Sequence, residues 1–152
     1  MRNPAQGRRS SAGGEAVRRR TRLVALTLGL VGIAGFVPGV TSHLGQIEPA
    51  GWGSGALLFG VVRVSVIGNL IHVAMSAGGL LATASDEWSR RFLQWGGTAY
   101  ATMSCYRVLL DLYLAGGRVT GQGAGEWLPV AAGLAIVAIG LFTAGPSKCP
   151  TR

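Results

Sequence analysis

Asn69 and His72 stand one helical turn apart inside a long apolar stretch, and polar or ionisable groups in such a setting carry the chemistry open to this chain. A histidine there can exchange a proton, ligate a metal or hold a haem. A metal site needs about three protein ligands. The other histidine, His43, lies in a different segment, so an interhelical hydrogen bond is the expected role of His72. Arg63, Arg107 and Asp111 form a second set of charged residues within apolar stretches. Arg107 precedes Asp111 by four residues and can pair with it along a helix. Placed at the outer half of a bilayer, these three either line a vestibule for an anion or proton, or neutralise one another and reach the headgroups. Their shallow depth favours the second reading.

The elements that must position these residues are four apolar stretches, at about 23–40, 55–84, 92–114 and 127–145. Each approaches or exceeds the ~18–20 residues that cross a ~30 Å hydrocarbon layer as a helix. In the second, Ser65, Asn69, His72, Ser76, Gly79 and Thr83 recur at spacings of four and three, a polar and small stripe on one helix face. In the third, Gly97, Ala101, Ser104, Val108 and Asp111 share a face. Gly29, Gly32 and Gly35 in the first stretch, and Gly133 and Gly140 in the fourth, are expected packing seams, because small residues let helices approach closely in lipid.

Charge orients the array. Seven arginines (2, 8, 9, 18, 19, 20 and 22) precede the first stretch, and Arg90, Arg91, Lys148 and Arg152 fall on the same side. Among the loops of the other side only Arg118 is basic, an orientation signal that puts both termini in the cytoplasm. The net charge of +8 lacks the aromatic interleaving or folded basic module of a nucleic-acid binder, so anionic lipid headgroups are the expected partner of the tail. Residues 1–22, rich in Arg, Gly, Ser and Ala, are expected to be a disordered cytoplasmic tail, with a short one at 146–152. The first apolar stretch exceeds the ~7–15 residues of a signal-peptide core, and it is expected to be retained. Cys105 and Cys149 are expected to stay unpaired.

The fold class is therefore an all-α membrane protein, a bundle of four transmembrane helices. Signatures of soluble enzymes are missing: the Gly51–Gly55 run lacks the Gly-Lys-Ser/Thr ending of a phosphate loop. No catalysis, no metal and no cofactor are expected. The bilayer and a membrane partner or a second copy are the expected associates, and a small transporter using the polar faces is the alternative.

Gly35-Phe36-Val37-Pro38-Gly39-Val40-Thr41, the stretch Leu58-Phe59-Gly60 to Val64 with Asn69-Leu70-Ile71-His72, and Trp127-Leu128 resemble motifs of one family. That family is catalogued as domain-of-unknown-function family 4383, an uncharacterised bacterial integral membrane family. The resemblance runs from about Leu23 to Leu141 and implies four membrane helices without an assigned activity. Its second-helix motif ends His-Asn-x-x-His, and its fourth-helix segment is Asp-Asn-Trp-Leu-His. Here Gly68 and Pro129 replace two histidines, while Gly125 and Glu126 replace the aspartate and asparagine. A histidine cluster in this chain would thus lack two members.

Overall fold

The computed structural model describes residues 4–50, 53–114 and 123–142, and the chain is predominantly helical. Helix α1 (Pro4–Ala34) runs straight through the arginines into the first apolar stretch. The segment expected to be disordered is thus helical from Pro4. Its lower half is docked: Val17 and Thr21 are wholly buried, and the Thr21 hydroxyl donates to Val17 O and lies 3.4 Å from Ser89 O. Alanine and arginine are good helix formers. Apolar burial at Val17 supplies the tertiary support that the composition does not advertise.

After α1 the chain builds a small cap from strands β1 (Thr41–Ser42), β2 (Leu57–Leu58) and β3 (Val62–Arg63), paired antiparallel in that order. This corrects the all-α expectation and the reading of 55–84 as one helix. A short apolar run does not by itself distinguish strand from buried helix. Here Phe59 (φ 51°) and Gly60 (φ 70°) take left-handed backbone, which turns the chain and ends any helix. Ser54 stitches the cap together: its hydroxyl donates to Val64 O at 2.6 Å and lies 3.4 Å from the amides of Glu48 and Ala56. Ala56, Leu58 and Val64 form the cap's own core, with Val31 and Ala34 of α1 packed against it.

Helix α2 (Val66–Ala82) starts at Ser65, whose hydroxyl accepts from Gly68 N. Helix α3 (Asp86–Arg91) is capped by Ser85 in the same way, with Asp86 and Glu87 in its first turn and Arg90 and Arg91 in its last, each suited to the helix dipole. A π-helical segment (Phe92–Gly96) joins α3 to α4 (Gly97–Leu114) as one rod, the bridging residues Phe92 and Gly97 keeping right-handed helical backbone. Helix α5 (Gly123–Phe142) returns along it. The result is four long helical rods in two intimate pairs, α1 with α2 and α4 with α5.

No helix among the described residues is long and apolar enough to cross a membrane. The helical character expected from the sequence is present, while none of these helices alone has the length and apolarity of a span. The arginines of α1 interrupt its apolar run, and the cap takes residues that would have lengthened α2, leaving it 17 residues. One end of the bundle carries α3 against the arginine-bearing half of α1, where Arg18 Nε lies 3.3 Å from Asp86 Oδ1. The other end carries the cap, which meets α5.

Candidate functional site: a buried polar seam

The stripe of small and polar residues on α2 turns inward, and α1 closes over it. A methyl group added at Gly29 would stand 2.6 Å from Ser76 Oγ. One at Gly32 would stand 2.8 Å from Asn69 O, and one at Gly35 would overlap the Asn69 side-chain amide. Gly79 lies as tightly against Ala25 and Phe92. The second pair of rods repeats the arrangement. Gly133 faces the Ala101 backbone at 2.7 Å for an added methyl, Gly140 faces Leu93 at 3.1 Å, and Gly97 faces Ile136 at 2.8 Å. The five glycines expected to be packing positions thus all lie at helix contacts.

Between the two pairs runs a line of polar side chains. His72 Nδ1 lies 2.7 Å from Gly68 O, one turn earlier in α2. A carbonyl can only accept, so Nδ1 carries the hydrogen. In the neutral ring Nε2 is then an acceptor, and the Tyr100 hydroxyl of α4 donates to it at 2.8 Å. The two rings meet edge to face, with centroids 5.4 Å apart and planes at 70°. Ser104, one turn above Tyr100 in α4, is also buried. Arg107 lies near enough to act electrostatically on both His72 and Tyr100. Its guanidinium donates to Arg63 O of β3 at 3.0 Å, fastening α4 to the cap.

Asn69 is only 1% exposed, and its Nδ2 has no hydrogen-bond partner among the described residues. It packs on Gly35 where α1 ends.

The sequence placed Asn69 and His72 on one inward face, and the structure puts them there. Arg63 and Arg107 come together too, through a side-chain-to-backbone bond on a strand rather than through two helices. The Asp111 side chain lies outside the described residues, and with it the expected Arg107–Asp111 pair, as do Arg118, Lys148, Cys149 and Arg152. Tyr100 was missed: it is the residue that answers His72. Its signal was in the spacing, because Tyr100, Ser104 and Arg107 follow one another at four and three residues.

Among the described residues no three of His, Cys, Asp and Glu gather in a way that could hold a metal ion. Both ring nitrogens of His72 are taken, one by a carbonyl and one by a phenol. As it stands the seam holds α2 and α4 in register through the His72–Tyr100 bond.

A sequence model described as "Domain of unknown function (DUF4383)" matches residues 18–142, most of the chain. The chain belongs to this family. The DUF4383 match begins within α1 among its arginines and ends with α5, so of the two docked residues Thr21 lies inside the matched range and Val17 just before it. No curated protein and no solved structure matches the chain.

Proposed function

We propose that this DUF4383 protein is a non-catalytic component embedded in a membrane, a helical bundle that binds a protein partner or a second copy of itself. One observation carries the reading: large apolar side chains cover the outside of the bundle, while polar side chains are buried within it. Leu30, Leu81, Tyr113 and Phe142 are 69%, 78%, 82% and 86% exposed, and they belong to a set of large exposed hydrophobics distributed over every rod. Thr21, Asn69, Ser76, Ser89 and Ser104 are buried instead. In water so much exposed apolar surface marks association or aggregation. In lipid it is the ordinary outer surface, and polar groups turn inward to find partners.

The aromatic residues support the same reading. Trp88 and Trp95 are exposed near the arginine-bearing end of the α3–α4 rod, and Tyr113 near its other end. From Trp95 to Tyr113 the rise is about 27 Å at ~1.5 Å per residue, close to the ~30 Å between the two aromatic belts of a bilayer. A span's length and hydropathy are properties of one helix, whereas the lipid-facing surface belongs to the whole bundle. A rod of 17 residues, about 25 Å long, can be matched by local thinning of the bilayer.

Alkaline carbonate extraction of native membranes tests this. The protein is expected in the pellet with integral proteins, and release into the supernatant would overturn the reading. Cross-linking in intact membranes should then recover a discrete homo-oligomer or a defined hetero-complex.

A second reading, a small transporter, is favoured by the polar faces of α2 and α4, which meet at the His72–Tyr100 pair. Purified protein in liposomes separates the two. A pH-driven flux that His72→Ala abolishes would establish transport, and tight vesicles support the partner-binding role.

A further inference from the structure

We propose that the basic end of the bundle carries a specific site for an anionic phospholipid, seated in the groove between the end of α2 and the α3–π junction; this rests on the membrane reading above. The groove has a volume of about 490 Å³. Gly78 and Ala82 of α2 form one wall, and Trp88, Arg91, Phe92 and Trp95 form the other.

Its two halves differ in chemistry. Gly78, Ala82 and Phe92 give the groove an apolar lining on both walls, the surface that an acyl chain covers. At its mouth stands Arg91, whose guanidinium carbon lies 5.6 Å from the centroid of the Trp88 ring. Trp88 and Trp95 are 61% and 74% exposed, flanking the groove at the level where indoles sit among headgroups. Arg19, Arg20 and Arg22 on the neighbouring α1 are exposed and make this end of the bundle positive. A guanidinium at the mouth of an apolar groove suits a phosphodiester above an acyl chain, because its planar fork pairs with phosphate oxygens.

The π-helical segment helps shape this place. Phe92 opens it, with its ring turned back against Gly79, where an added methyl would stand 2.8 Å from Phe92 Cζ. Interruptions of this kind recur at functional sites. Glu87 pairs with Arg91, whose Nη2 donates to Glu87 Oε1 at 2.6 Å. Both side chains are well exposed, 58% for Arg91 and 74% for Glu87, so this pair is weak and the phosphate can displace the carboxylate.

Tryptophan quenching by brominated lipids tests the site on the full chain in vesicles. Trp52→Phe and Trp127→Phe together leave only Trp88 and Trp95 as reporters. At equal mole fraction, dibrominated phosphatidylglycerol is expected to outcompete dibrominated phosphatidylcholine by about fivefold, the order expected for one arginine at an anionic surface. Arg91→Gln should bring the ratio close to one, Arg90→Gln should leave it near fivefold, and Glu87→Gln should raise it. Equal quenching by the two lipids, or equal losses in Arg90→Gln and Arg91→Gln, would show general surface charge and overturn the site. If neither lipid quenches, the membrane reading fails, and the site fails with it.

Discussion

Tyr100 and His72 hold the two helix pairs together by a hydrogen bond whose neutral form has one defined direction, phenol to imidazole. Such bonds between membrane helices average about 0.6 kcal/mol and reach about 1.7 kcal/mol. Tyr100→Phe keeps the ring contact and removes only the hydroxyl, leaving Nε2 without a donor. Denaturation of the purified protein in detergent should show a loss of about 1 kcal/mol. The double variant with His72→Phe should lose less than the sum of the two single variants. Strict additivity would mean that the bond contributes nothing to stability. Asn69 is held by packing, its side-chain amide lying against Gly35 at the end of α1.

At the scale of elements, closeness of backbones decides the cost of change. Gly133 faces the Cα and N of Ala101, atoms that cannot turn aside, whereas Gly29 faces a serine hydroxyl that can rotate away. Overpacking costs about 1–3 kcal/mol, set against a gain of up to ~1 kcal/mol in helix propensity from Gly to Ala. Gly133→Ala should therefore destabilise the α4–α5 pair clearly, and Gly29→Ala should be close to neutral. Gly13→Ala, with open space around it, serves as the control. Thermal melting of the three variants in one detergent ranks them, and a reversed order would contradict the packing. The lower half of α1 is a second element-scale case. Amides near Val17 and Thr21 should exchange hydrogen as slowly as those of the apolar half. Val17→Asp, which puts a charge at a wholly buried position against the α3–π junction, should accelerate exchange there without disturbing the cap.

For the whole molecule, the excess of arginine at one end and the β-cap at the other give the bundle a direction. On the membrane reading proposed above, the positive-inside rule predicts the arginines in the cytoplasm and the cap outside. Ser42→Cys, exposed on the cap, should react with a membrane-impermeant maleimide added to intact cells. Ala16→Cys, exposed on the arginine-bearing half of α1, should react only after the membrane is opened. The opposite pattern would invert the bundle and move the proposed lipid site to the outer leaflet.

The amino-acid sequence determined the helical character of the chain, the inward face of α2 and the glycine seams, because spacing at three and four residues fixes which side chains share a helix face. It also determined the asymmetry of charge. Other features depended on contacts between residues distant in sequence. The lower half of α1 is ordered by burying Val17 and Thr21 beside Ser89 and Leu93, a benefit absent from its own composition. The hairpin at Leu57–Arg63 follows from left-handed backbone at Phe59 and Gly60 and from the Ser54 hydroxyl, within an apolar run that a helix would equally well have filled. The meeting of His72 with Tyr100, and of Arg107 with the Arg63 carbonyl, was decided by how the two pairs of rods lie against each other. Periodicity orients each face, and only packing across the interface selects its partner.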